Sequence, residues 1–294
     1  MRDDLKNLKN LGNPEHLALA YDAWAPVGDD GKVPKEDRSA WLSKLAETKV
    51  SPDYKYSFNR WEASFKAPGD RTFRLKLASR LLIGHGNSSA AEVGISVHHT
   101  WGVPVIPGSA LKGLLAHYVD ATYGPFGRDR VPENVLDDEN PDNYRGVVWN
   151  QGKTRVQSGP GKYYRALFGA PDADDDKTAH SKGCEAGATA GVVRFHDALY
   201  VPTLAGLDRP FAVDVLTVHQ VNYYKEEGET APNDYDDPNP VGFLTVRPDA
   251  SFLFALSGRE DWTKVAMELL WEALDNWGVG GKTSAGYGRF DRSS

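Results

Sequence analysis

The pattern of this sequence predicts an α+β chain ordered strand, helix, several strands, helix, strand. Three observations carry that expectation. Thr72 to Ile83 alternates like a half-buried strand, with Phe73, Leu75 and Leu77 on one face and Arg74, Lys76 and Ala78 on the other. Ala110 to Tyr123 repeats apolar residues at helical spacing through Leu111, Leu114, Leu115 and Tyr118, with Ser109 placed as its N-cap. A second helix, opening near Gly258 or Asp261 and carrying Val265, Leu269, Leu270 and Ala273 on its apolar face, runs to Asn276 and precedes a final strand, Tyr287 to Phe290. The outline is a modified ferredoxin-like βαββαβ domain with long loop insertions.

The remaining elements fall into place around these. Residues 1–69 read as a mostly helical N-terminal extension, and 70–294 as the domain proper. Pro14 to Trp24 spaces Leu17, Ala20, Tyr21 and Trp24 on one helical face until Pro26 stops it, and Asp37 to Ala46 makes a second short helix. After the first strand, Val93 to Thr100 leads into a short buried strand, Val103 to Ile106. Tyr163 to Phe168 is a helical piece. Gly191 to Pro202, Phe211 to Tyr224, Val241 to Val246 and Ser251 to Leu256 read as strands, the last two joined by the turn sequence Arg247-Pro248-Asp249-Ala250. Polar, irregular insertions are expected at 124–162, 170–190 and 225–240.

Composition narrows the function classes. The 294 residues are 40% hydrophobic, enough for a substantial core, with no run of 18 apolar residues to cross a membrane. Met1 to Lys6 has no apolar signal region, and the single cysteine, Cys184, excludes an internal disulfide and a cysteine-based zinc site; both point to the cytoplasm. The net charge of −7 is unevenly spread. Fifteen of the 41 acids sit in three segments without a base, Pro132–Asp142, Asp172–Asp176 and Glu226–Asp237, which leaves 26 acids against 34 Lys and Arg elsewhere. Arg71, Arg74, Lys76 and Arg80 meanwhile lie in an acid-free stretch. They are either a basic face for RNA or ordinary solvated strand residues.

Gly278 to Phe290 carries the most chemistry. Five glycines, Lys282, Thr283, Ser284 and Arg289 suit a loop that lies against phosphates. Gly281-Lys282-Thr283 resembles the end of a Walker A motif, but position 276 is Asn where that motif needs Gly, and the loop follows a helix instead of a strand. A loop touching a polynucleotide backbone fits better. Among the eight histidines, adjacent His98 and His99 point to opposite faces of an extended chain and cannot share one ion. His180 and Cys184 have ligand-like spacing without a second pair, so no metal or other cofactor is expected. His85, in the polar loop Gly84-His85-Gly86-Asn87-Ser88-Ser89, is the one candidate general base.

Two blocks resemble a known family. Leu82-Ile83-Gly84-His85-Gly86-Asn87, Glu92-Val93-Gly94-Ile95, His98-His99-Thr100 and Gly102-Val103-Pro104-Val105-Ile106-Pro107-Gly108-Ser109-Ala110-Leu111-Lys112-Gly113 form the first, and the C-terminal glycine loop the second. Together they are similar to the RAMP superfamily of CRISPR–Cas proteins, and within it to subunits of type III-B effector complexes; the likeness covers roughly residues 70–294. The resemblance implies an RRM-like domain that assembles on CRISPR RNA, near its 3′ part, and helps present it to target RNA. Neighbouring backbone and small subunits are then its partners. Target-cutting relatives use a loop aspartate; between Gly84 and Thr100 the only acid is Glu92, so no catalysis is expected. The expected RNA contacts are His85, Asn87, Ser88, His98, His99, Ser109, Lys112, Gly278, Gly280, Gly281, Lys282, Thr283, Ser284, Tyr287 and Arg289. The alternatives are an endoribonuclease using His85 and a capping protein that touches only other subunits.

Overall fold

The computed structural model describes residues 16–124, 141–149, 156–170, 188–203, 208–218 and 239–291. In chain order these form α1 (Lys35–Ala46), α2 (Tyr54–Glu62), β1 (Arg71–Lys76), β2 (Val105–Ile106), α3 (Gly108–Tyr123), β3 (Val148–Trp149), β4 (Val156–Ser158) and α4 (Lys162–Phe168). There follow β5 (Gly169–Ala170), β6 (Thr189–Ala190), β7 (Val193–Phe195), β8 (Ala198–Tyr200), β9 (Phe211–Val218), β10 (Asn239–Val246), β11 (Ser251–Gly258) and α5 (Glu260–Asn276).

β11 is the centre of the main sheet. Phe252 to Leu256 are all buried, because the strand is covered on both faces; its sequence is accordingly continuous in apolar residues instead of alternating. β1 pairs antiparallel along one side of β11, from Arg71 opposite Leu256 to Lys76 opposite Ser251. β7 and β8 lie end to end along the other side, and β2 pairs beyond β8. The sequence reads Gly191 to Pro202 as one strand; the chain breaks it at His196-Asp197. α3 and α5 pack on each other, and between them they contact β1, β7 and β11. Phe290 bridges Leu77 beyond β1, so the expected last strand, Tyr287 to Phe290, is reduced to one bridge after a turn.

β9 and β10 form a separate eight-residue ribbon. The expected turn after Val246 is present, with Asp249 at φ 67°. It carries the chain from the ribbon into the main sheet, so β10 and β11 do not pair. α1 lies on this ribbon, burying Leu42 and Leu45 with Leu17, Tyr21, Phe211 and Leu244. The N-terminal reading is therefore close for Asp37–Ala46. The Pro14–Trp24 helix is a short turn ending in a π-helical segment, Leu19–Ala23, and its first residues lie outside the described ones. α2 was missed, although Tyr54, Phe58, Trp61 and Phe65 recur at spacings of four, three and four residues. Its Tyr54 and Phe58 join the main core, and the Tyr54 hydroxyl donates to the Tyr200 carbonyl at 2.6 Å.

Val93 to Thr100 runs through turns with a single bridge, Val97 to Pro104. The first insertion holds a small hairpin, β3 with β4. Most of the three acid-rich segments, with His180, Cys184 and His219, lie outside the described residues.

Candidate nucleic-acid interface

The glycine loop leaves the C-terminus of α5 and folds back on the segment that follows β1. Two glycines explain why. Gly280 sits at φ 90°, where a Cβ would collide with the Leu82 carbonyl oxygen, and Gly288 at φ 64°, against the Val279 carbonyl oxygen. The amide of Gly281 donates to the Leu82 carbonyl at 2.7 Å and that of Gly288 to the Arg80 carbonyl at 2.8 Å. The amide of Gly278 donates to Leu274 at 3.0 Å. These glycines therefore let the chain approach itself, and the reading of the five glycines as bare backbone lying against phosphates is corrected at Gly278, Gly281, Gly288 and Gly286, the last donating to the Thr283 carbonyl at 3.0 Å. What the loop presents outward is side chains. Lys282 holds a left-handed φ of 58°, Thr283–Ala285 forms one 3-10 turn, and Ser284 is exposed.

Arg289 braces the loop. Its Nη1 donates to the Asn276 carbonyl at 2.8 Å and its Nη2 to the Thr283 carbonyl at 3.2 Å. The guanidinium thus satisfies an end carbonyl of α5, where a cation is favoured by the helix dipole, and no carboxylate among the described residues pairs with it. Tyr287 ties the loop to the ribbon: its hydroxyl donates to Asp214 Oδ2 at 2.8 Å. Partial burial, then the Asp214 carboxylate, push the Tyr287 phenol above its ordinary range.

A groove of about 520 Å³ opens between this loop and α3. Ile83, Ala110, Leu114, Trp277 and Val279 form its apolar walls. Asn276, Thr283, Ser284 and Arg289 supply polar groups, and none of the described lining residues is acidic. Gly278, Gly280, Thr283, Ser284 and Arg289 of the expected contacts line it. His85 stands beside it, its Cβ 3.6 Å from where a Gly281 Cβ would lie, in an exposed turn with Asn87 and Ser88.

The start of α3 departs from expectation. Its N-cap is Pro107, and Ser109 is an exposed residue inside the helix. The Gly108 amide donates to Asp197 Oδ1 at 2.7 Å, so a carboxylate from the break between β7 and β8 already occupies this end of the helix. A phosphate there meets a negative charge. Lys112 is two positions from Ala110, about 200° around the helix, and does not line the groove. His98 is also apart from it. Its Nδ1 accepts from the Thr100 amide at 3.2 Å, and burial, offset in part by Asp197, lowers its pKa. His99 is exposed. His196 shares a short hydrogen bond with Ser257 Oγ, and burial lowers its pKa too. Among the described residues no cluster of three His, Cys, Asp or Glu side chains is placed to hold a metal.

The basic stretch after Asp70 is neutralised. Arg71 pairs with Glu260 at 3.2 Å, Arg74 with Glu62 at 2.5 Å, Lys76 with Asp249 at 2.7 Å and Arg80 with Asp214 at 3.6 Å. The reading as ordinary strand residues is the better one. Glu92 also has partners: it accepts from Arg38 Nη1 at 2.7 Å and faces Lys32 at 3.5 Å. The Arg38 hydrogen bond, against some burial, lowers its pKa.

These features meet a family-level match. A model of the RAMP superfamily fits residues 74–291. The chain belongs to the RAMP superfamily. It is 34% identical over 229 residues to the CRISPR system Cmr subunit Cmr6 of Pyrococcus furiosus, covering 74% of this chain and 66% of that relative. A chain in the cryo-EM structure of the type III-B Cmr-beta bound to cognate target RNA superposes with a TM-score of 0.56 at 19% identity, covering 90% of this chain and 76% of the other. That superposition shows a shared α+β fold. The crystal structure of Cmr6 from Pyrococcus furiosus matches at 33% identity over 75% of this chain and 97% of that one, with a TM-score of 0.38.

Sequence reasoning found the glycine loop but missed the walls facing it. Leu114 reads as part of a buried helical stripe and Ile83 as the end of a strand, while nothing in the sequence singles out Ala110 or Trp277 as a wall. Asp197, sitting between two strands, gave no sign that it caps a helix 89 residues earlier.

Proposed function

We propose that this chain is an RNA-binding, non-catalytic subunit of a type III-B CRISPR effector complex. It caps the backbone filament near the 3′ part of the CRISPR RNA and supports target-RNA binding in antiviral defence in the cytoplasm. The observation that carries this is the groove, free of acids among the described residues, where two blocks far apart in the chain meet and carbonyl oxygens hold Arg289. A protein that leaves sequence reading to base pairing needs positive and hydroxyl groups along the backbone path, which Arg289, Lys282, Thr283 and Ser284 supply. Lys282 lies in the loop that edges the groove, whereas Lys112, Ser109, His98 and His99 belong to neither the groove nor that loop and contribute less to the path. A ferredoxin-like topology is supported by strand order: with Phe290 as the fourth strand, the sheet runs fourth, first (β1), third (β11), second (β7 and β8). The non-catalytic reading is supported by Glu92, whose carboxylate is engaged by Arg38 and Lys32 instead of standing open to a divalent ion.

The partners in this reading are CRISPR RNA, target RNA and the adjoining backbone and small subunits. No described helix is long and apolar enough to cross a membrane. The test is isolation of the tagged chain from its native cells, with its RNA sequenced and its companions identified. Short guide RNAs and several effector subunits are expected. A chain isolated without either overturns the reading. The second reading, an endoribonuclease, rests on His85 standing exposed beside the groove; cleavage of RNA by the purified chain, abolished in His85→Ala, would establish it instead.

A further inference from the structure

We propose that the groove between α3 and the glycine loop seats one unstacked nucleobase of the bound RNA, with the adjoining phosphate held at Arg289 and Lys282. This rests on the RNA-binding reading and adds to it a site for a base, where the loop alone offers only backbone contacts.

The composition of the groove carries the inference. A loop that touches only phosphates has no use for apolar walls, yet Ile83, Leu114, Val279 and Trp277 line this one. An apolar side chain from another protein fills such walls but leaves the Arg289 charge without an anion. An acidic peptide meets the charge but wets the walls. A nucleotide matches both, presenting a flat apolar face and a phosphate on one unit. The volume of about 520 Å³ suits a ligand of that size, within the roughly 300–1,000 Å³ of small-ligand sites.

The polar groups fit the same occupant. Asn276 Nδ2 donates to the Tyr118 hydroxyl at 3.0 Å, which orients the amide and leaves Oδ1 as an acceptor. Thr283 and Ser284 add hydroxyls that both donate and accept. Base edges carry donors and acceptors side by side, so a mixed set serves them better than the all-donor set that suits a bare phosphate. Arg289, already pinned by the Asn276 and Thr283 carbonyls, has further N–H donors and is held in place before the ligand arrives. Trp277 is fixed edge-on against Tyr118, their ring centroids 5.1 Å apart, so it offers a rigid wall.

The experiment uses the full chain with guide RNAs that carry 5-iodouridine at one position each. After irradiation, the joined peptide is mapped and RNA retention is measured on the same samples. One RNA position is expected to join to Trp277. Ala110→Leu, which fills the groove from α3, should lower that yield on the order of tenfold and lower retention by less, since the phosphate contacts remain. Ala110→Asp, acceptable in the first turn of a helix and placing a carboxylate in the groove, should lower it as well. RNA retained without any joining to Trp277, or joining that neither variant reduces, overturns the base site and leaves the RNA reading standing. A chain that retains no RNA overturns both.

Discussion

Arg71, Arg74, Lys76 and Arg80 hold four positive charges within ten residues; the glycine loop holds two, Lys282 and Arg289. Counted along the chain, the first stretch is the stronger candidate for an RNA surface. In the fold each of its four cations faces a carboxylate brought from α2, α5, β9 or the turn before β11. Arg289 is instead held by two carbonyl oxygens. A carboxylate cancels a charge seen from a distance, whereas a carbonyl positions the guanidinium and leaves the full charge in place. The comparison teaches that usable charge is a property of the partner, and the partner is a matter of tertiary structure.

The largest test of this contrast removes the loop that positions Arg289. Gly288→Val puts a branched side chain at φ 64° against the Val279 carbonyl, and should destabilise the fold by about 3 kcal/mol in urea unfolding, with loss of RNA retention. Next comes charge itself. Lys282→Gly keeps a residue at ease with φ 58° and removes one cation, so the slope of log affinity against log salt should become shallower by about one unit. Arg74→Gln should leave that slope unchanged, because Glu62 already neutralises Arg74. An equal change in the two variants breaks the comparison.

Smaller effects sharpen it. Tyr287→Phe removes the hydroxyl that ties the loop to Asp214 and should cost about 1 kcal/mol in the same unfolding assay. Pairing also governs Arg38 and Glu92. The Glu92 carboxyl is held below its ordinary value of 4.5, so the stability it contributes is present above that value and is lost as pH falls through the lowered one. Glu92→Gln should therefore flatten the loss of stability below about pH 4.5, by no more than about 1 kcal/mol given its partial exposure. An unchanged acid limb would mean that the Arg38 bond does not persist in solution.

Legibility followed the range of the interaction. β1, α3 and α5 were readable because each carries its own period, two or near 3.6, and each buries the face that the period marks. β11 was readable as a strand from its run of apolar residues, but its central place depends on which segments pair with it. The break at His196-Asp197 was not readable, since Asp197 is there to meet the amide of Gly108, and close approach of Gly108 to β7 requires the glycine. The glycine loop stood out by residue type, but the role of its glycines was not readable: the amides of Gly281, Gly288, Gly278 and Gly286 face the carbonyls of Leu82, Arg80, Leu274 and Thr283.

The sequence by itself therefore determined the α+β class, the two long helices and the family, and it marked out the glycine loop by its residue types. Those are local signals, set by backbone geometry, side-chain period and residue type. Tertiary structure alone decided that Ala110 and Leu114 face Val279 and Trp277 across one groove, that four cations after Asp70 are neutral in effect, and that Arg289 is not. These depend on contacts between residues far apart in the chain, and no local pattern encodes which distant atom will satisfy a given charge or amide.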